Sequence, residues 1–367
     1  MALAKHAGRF VWLSVDTEKD ENSAFLAKFP VGVLPTLLVV DAEREQAALT
    51  RAASVTVTEL VRLLDDGEAA VRHSASNPAG AALADGERLA GEGRPKEAAA
   101  AFRRALELGG PGWSRRGRVV ESLAGALSST GEVEACATLV AAEAPSWARD
   151  PLFVSVVTTG LYCAVEGPEA APWRAGALAA LEPLAKEALG LRDLIADDRS
   201  GVYEMLIEAR EAAHDSDGKR QLAGAWLAFL EGEAARAPTP EARAAFDAHR
   251  LAASLALGDP ARAVTALRAS ERDLPADYNA PARLATAYLE LGRTDEALAA
   301  AERALTKVYG PRRLRVEETR VKIYLKKGDL AAARRALDEA IRFGESLPAV
   351  ERTRKTLERL RAQRQKL

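Results

Sequence analysis

Cysteine is scarce in this sequence: Cys136 and Cys163 are the only two among 367 residues. That excludes a dense disulfide framework, and the pair forms no CxxC motif. Each reads as a buried structural residue, the usual setting of a free cysteine. The four histidines, His6, His73, His214 and His249, show no HxxxH or HxxE spacing, so no metal site is suggested. GxxxxGKS, GxxxxGKT, GxGxxG and GxSxG are all missing, which leaves phosphate cradles, cofactor fingerprints and the commonest hydrolase nucleophile without support. No cofactor is implied. Lys plus Arg is 51 against 53 for Asp plus Glu, so no whole-chain field draws the protein to nucleic acid or an anionic membrane. A local basic patch stays open. No run of roughly 18 apolar residues is present to span a bilayer, and Met1–Arg9 lacks the apolar stretch of a signal peptide. Cytoplasm is the default expectation. Aromatics make up only 5% of residues, so the 48% hydrophobic content rests on Ala and Leu, which favours helix from about residue 80 onward.

What is present is a spacing. Around the turn Leu291-Gly292-Arg293 stand Leu284, Ala285 and Tyr288 before the glycine, and Ala297, Ala301 and Ala304 after it, at offsets of five, nine and twelve. Small residues there let two helices pack closely. Gly93 is followed by Ala98, Phe102 and Ala105 at the same offsets; Gly258 by Ala263, Leu267 and Ser270; Gly328 by Ala333, Leu337 and Ala340. The step is 34 residues from Gly258 to Gly292 and 36 from Gly292 to Gly328. These residues resemble the tetratricopeptide repeat family. Clear repeats are expected near 79–112, 244–277, 278–311 and 314–347. Gly131 centres a weaker unit, with Cys136 and Val140 in place but Glu143 where a small residue belongs, and Gly218, followed by Ala223, Leu227 and Leu230, is weaker still. Residues 113–243 are expected to be divergent helices, including 153–165, 173–191 and 202–212. A capping helix is expected at 348–367, carrying apolar Val350, Leu357 and Leu360 and a basic run, Arg352–Lys366, read as a solvated face. Adjacent carboxylates such as Asp65-Asp66 and Asp197-Asp198 fall at predicted helix ends or turns, where solvation accounts for them.

The first 75 residues differ. Phe10–Val15 reads as a strand, Ser23–Lys28 as a short helix, Leu37–Val40 and Gln46–Thr50 as strands around a turn at 41–45, and Thr58 as the N-cap of a helix with Leu60, Leu63 and Leu64 on one face. Val15-Asp-Thr-Glu18 followed by Phe29-Pro-Val-Gly-Val-Leu-Pro-Thr-Leu-Leu-Val-Val40 resembles the second half of a thioredoxin domain. The resemblance implies a cis peptide before Pro35 and a backbone at Leu34 that meets an extended peptide. The alternative is that Pro35 only starts an edge strand. The family's central strand and CxxC helix have no counterpart; at most Ala2–Lys5 is the tail of that helix. The strands at 10–15 and 37–40 must then pair directly, accept a strand from a partner, or stay unpaired. Met1 is on this reading an internal start, with a CxxC encoded in frame upstream.

The expected fold is mostly α: a right-handed tetratricopeptide-type α-solenoid, residues 76–367, preceded by a small, incomplete α/β thioredoxin-like segment, residues 1–75, with the break at 74–80. Both resemblances imply protein or peptide clients. On the first helix of each pair, Asn279, Arg283 and Thr286 in one repeat, and Arg315, Glu318, Lys322 and Lys326 in the next, would face a peptide, as would Leu34, Pro35 and Thr36 in the N-terminal segment. The Lys and Asn carboxylate clamp of chaperone-binding members is not reproduced. The expected function is a protein–protein interaction scaffold without thiol–disulfide chemistry. The alternatives are the C-terminal portion of a thioredoxin-family disulfide oxidoreductase, and an N-terminal segment that only caps the solenoid.

Overall fold

A helix that must reverse direction within two or three residues needs one residue in the left-handed region, and glycine enters it without a Cβ penalty. In the computed structural model, Gly93, Gly131, Gly258, Gly292 and Gly328 take φ of +72°, +77°, +79°, +72° and +76°, each in the turn between two antiparallel helices. The structure describes residues 2–32, 34–51, 55–72, 77–192, 194–347 and 351–367. The break expected at 75/76, His73, Val350 and the start at Met1 lie outside them.

The elements follow in order: α1 (Ser23–Lys28), β1 (Leu37–Asp41), β2 (Gln46–Arg51), α2 (Val57–Arg72), α3 (Pro78–Gly91), α4 (Pro95–Gly109), α5 (Arg116–Thr130), α6 (Val133–Glu143), α7 (Pro151–Glu166), α8 (Pro172–Leu189) and α9 (Ala196–Ala212). Then come α10 (Ser216–Arg236), α11 (Pro240–Ala244), α12 (Asp247–Leu257), α13 (Ala261–Asp273), α14 (Asn279–Glu290), α15 (Thr294–Leu305), α16 (Arg312–Lys326), α17 (Leu330–Glu345) and α18 (Glu351–Gln365). They form two compact units, one of Met1–Ser14 with Lys28–Ser216 and one of Val15–Ala27 with Asp217–Leu367.

In the first unit α3 to α9 stack as helix hairpins, each helix against the next and α5, α6 and α7 also against the helix two further on. Ala98, Phe102 and Ala105 of α4 are buried in this stack. β1 and β2 pair antiparallel, Val39 opposite Leu49 and Val40 opposite Ala47, so a bulge falls between Val39 and Val40. Val39, Leu49 and Leu63 make a small core under α2, and β2 also packs on α3, where Gly91 leaves room for Ala47. The cap of α2 is Thr56 rather than Thr58: the Glu59 N–H donates to Thr56 Oγ1 at 3.2 Å, and the Thr56 N–H donates to Glu59 Oε2 at 2.8 Å. This reciprocal pair satisfies two donors and outcompetes a lone hydroxyl.

Phe10–Val15 is not a strand. β1 bonds to β2 alone among the described residues, and a β-branched run with no ladder partner gains nothing from its propensity. Val11 and Leu13 are 88% and 77% exposed. Ala2–His6 is a 3₁₀ helix, and the Leu34–Pro35 peptide is cis.

The two cysteines are buried as expected, but they are bonded to each other, joining α6 to α7. Gly218 lies inside α10; the preceding turn instead uses His214, at φ +54°. Asp65 sits within α2 and pairs with Lys5. Asp198, expected to be solvated, is partly buried in the first turn of α9, and burial beside Glu59 pushes its carboxyl up to about 7.

In the second unit α12 to α18 stack in the same manner. Leu284, Ala285, Tyr288, Ala297, Ala300 and Ala301 join Leu267 and Ile323 in one core. Leu314, Leu337, Ala340 and Leu360 join in the next, which places α18 as a cap. Its basic run is a solvated face, as expected, and its arginines make surface ion pairs: Arg359 with Glu318, Arg361 with Glu345, and Arg364 with Asp338. No helix among the described residues is long and apolar enough to cross a membrane.

Candidate functional site

The apolar face of α14 is spent on its own core, so its polar side chains point to whatever space the neighbouring helices leave. That space is an open cleft of about 570 Å³, bounded by Glu241, Ala244 and Ala245 of the α11 region, the loop Asp273–Asp277, and Asn279 and Arg283 of α14. Asn279 and Arg283 are one helical turn apart and therefore share a face. The loop is fixed at both ends. Asp277 accepts the Asn279 N–H at 2.9 Å and its Nδ2 at 2.8 Å, and Asp273 is held by Arg243 at 2.6 Å and Arg272 at 3.0 Å.

Arg283 is the unusual member. Burial pushes its guanidinium below the ordinary arginine value, against the opposing pull of Asp247 and Asp277. Among the described residues it makes no hydrogen bond or close ion pair. Behind it Asp247 is fully buried, its carboxyl raised by desolvation and eased by Ser270 and Arg250. Asp247 Oδ2 has no hydrogen-bond partner among the described residues. Arg250 in turn forks onto Glu231 at 3.0 and 2.5 Å. A guanidinium with five donors in a fixed plane suits a carboxylate, and this one faces an open space.

Of the residues expected to line a peptide groove, Asn279 and Arg283 come together here. Thr286 is half-buried and not on the cleft wall. Arg315, Lys322 and Lys326 are exposed on α16, while Glu318 is engaged by Arg359 of the capping helix at 2.6 Å. Leu34 and Pro35 are exposed and Thr36 half-buried, all in the first unit. The spacing argument missed Asp247, because an acid at a helix start reads as a cap, and its burial depends on α13 and α14. It also missed Glu241 and Asp277, which lie in a short helix and a loop outside the repeat pattern.

Residues 282–306, from α14 through the turn and along α15, match the tetratricopeptide repeat family. No curated protein matches the sequence. Similar solved structures include a tetratricopeptide repeat protein from Parabacteroides merdae, 12% identical with a TM-score of 0.48, spanning 76% of this chain and 97% of that one. Another is the TPR2AB domain of yeast Sti1 in a pHSP90 complex, 16% identical with a TM-score of 0.28, spanning 77% and 98%. Arg283 of the cleft wall thus falls within the stretch that matches a tetratricopeptide repeat.

Proposed function

We propose that the chain is a non-catalytic interaction scaffold whose repeats bind peptide segments of client proteins, with Arg283 anchoring an acidic group of the client. The carrying observation is a mostly buried guanidinium without a hydrogen bond among the described residues, set beside Asn279 in the wall of an open cleft. Such a charge is held at a desolvation cost that an incoming carboxylate offsets through charge-assisted hydrogen bonds. The test is fluorescence anisotropy with labelled acidic decapeptides, each prepared with lysine replacements as a control. R283A is expected to weaken binding about 10- to 100-fold, the range of one or two such bonds. Equal binding by parent and variant would remove Arg283 from this role.

A second reading concerns residues 1–75. The β1–β2 hairpin followed by α2, with Leu34 exposed ahead of it, supports a thioredoxin-like remnant that grips extended peptides through Leu34, Pro35 and Thr36. Thiol exchange is disfavoured because Cys136 and Cys163 are buried and bonded to each other, and the attacking thiolate must be accessible. Reduction of an insulin disulfide by the chain would support the oxidoreductase alternative instead. The buried disulfide also fits an oxidising compartment better than the cytoplasm expected by default.

A further inference from the structure

The polar stretch after Ser14 does not stay with the hairpin that follows it in sequence. Val15–Ala27 belongs to the second unit, and its acidic turn sits on the α15–α16 junction. Glu18 accepts twice from Arg312, from Nε at 2.9 Å and from the backbone N–H at 3.1 Å. The Tyr309 hydroxyl donates to Asp16 Oδ2 at 2.9 Å. A carboxylate at the start of a helix of this length meets both the free N–H groups and the positive end of the dipole.

The receiving surface is shaped as well as charged. Gly310 has φ +58°, and a Cβ built there would lie 2.3 Å from the carbonyl oxygen of Glu18, so a side chain at 310 and a backbone at this depth exclude each other. The docked turn is itself preformed, since the Glu18 N–H donates to Asp16 Oδ1 at 2.9 Å and Asn22 Nδ2 donates to the Asp16 carbonyl at 2.8 Å. Neither the 3₁₀ turn Asp20–Asn22 nor α1 fully buries a residue, and Phe25 and Leu26 of α1 are half-buried, so the two carboxylates are the best-defined anchors of the segment. Segments held in this way open at low free energy.

We propose that Tyr309, Gly310 and Arg312 form a recognition site for an extended acidic segment of a partner protein bearing carboxylates two residues apart, and that Asp16-Thr17-Glu18 fills it as an exchangeable ligand in cis. The site shares no residue with the cleft lining at Asn279 and Arg283, although Arg312 lies within electrostatic reach of Arg283; its test uses a different peptide and different variants, so the two readings fail separately. A tethered ligand at millimolar effective concentration masks its site from competitors.

The probe is a fluorescein-labelled peptide with the sequence of residues 14–28, added to the full-length chain. D16A/E18A in the chain frees the site and is expected to raise the peptide's affinity about 10-fold or more over the parent. The same peptide with alanine at its two acidic positions is expected not to bind; this control leaves the protein untouched. R312A added to D16A/E18A abolishes binding. G310V releases the segment, seen as faster hydrogen exchange across 15–27, yet still refuses the peptide, because the valine blocks the backbone in trans as well. Equal affinity for parent and D16A/E18A, binding of the alanine peptide, or no binding to D16A/E18A would each overturn the proposal.

Discussion

Two helix hairpins, α14–α15 in the second unit and α5–α6 in the first, make the same turn with different material between the helices. After Gly292 the inward residues are Ala297, Ala301 and Ala304, all fully buried. After Gly131 they are Cys136, Val140 and Glu143. The third position is neutralised locally: Arg116 of α5 donates to Glu143 at 3.0 and 2.5 Å. The second is accommodated by α7, where Gly160 leaves the space that Val140 fills, a Cβ there meeting Val140 at 2.6 Å. The first is tied covalently to α7 through Cys163. A repeat can therefore lose its small-residue pattern and keep its packing, provided the next helix supplies the missing volume and the missing partners.

The largest test of that comparison is removal of the bond. C136A/C163A is expected to cost the first unit about 2–4 kcal/mol, typical for closing a loop of this size. Here the two sulfurs are 27 residues apart. Native-state hydrogen exchange is the suitable readout, with protection falling in α6 and α7 and unchanged in α14 and α15. Unchanged protection in α6 would mean that side-chain packing alone holds the divergent pair.

Next come the two ways of crowding a hairpin. A301V and G160V each force a branched side chain into a fully packed contact, at an expected cost of about 1–3 kcal/mol. They differ in rescue. V140A removes the atoms that G160V strikes and is expected to recover part of its loss in a double-mutant cycle. Failure of that rescue in denaturant titrations would show that Gly160 is needed for more than room.

The same contrast explains what was legible beforehand. The turn glycines and buried alanines of α12 to α17 follow from spacing within about one repeat, and the structure has them where that spacing puts them. The cystine was not legible, since Cys136 holds an ordinary repeat position after Gly131 while Cys163 lies on the next helix, where repeat spacing is lost. The turn at His214 was missed because a non-glycine takes the left-handed conformation there. Most distant from local pattern is the acidic segment: Asp16 meets Tyr309 across 293 residues, and nothing in the stretch Thr17–Asn22 distinguishes a docked turn from a helix cap. Asn279 and Arg283 share the face of α14 that their spacing implies, while nothing in the spacing points to the acid behind them, Asp247.

The smallest effect separates the units by their response to pH. In the first unit Arg51 pairs with Glu121, and Arg118 spans Glu87 and Glu121. Asp198 shares this acid-rich surround with Glu59, Arg51 and Asp197, and burial is the main reason that it titrates near 7 instead of 3.8. The folded chain then holds a proton that the unfolded chain releases, so the contribution of Asp198 to stability declines as pH rises from about 4 to about 7 and stays low above that. D198N carries no charge at any pH. It is expected to match the parent near pH 4 and exceed it by about 1–2 kcal/mol above pH 7, less than full linkage because the side chain is partly solvated. Urea titrations of parent and D198N at pH 4.5 and 8, followed by hydrogen exchange in α9, decide it. A gap that fails to widen with pH would mean that Asp198 is ionised in the folded chain at neutral pH, with Arg51 rather than burial setting its charge.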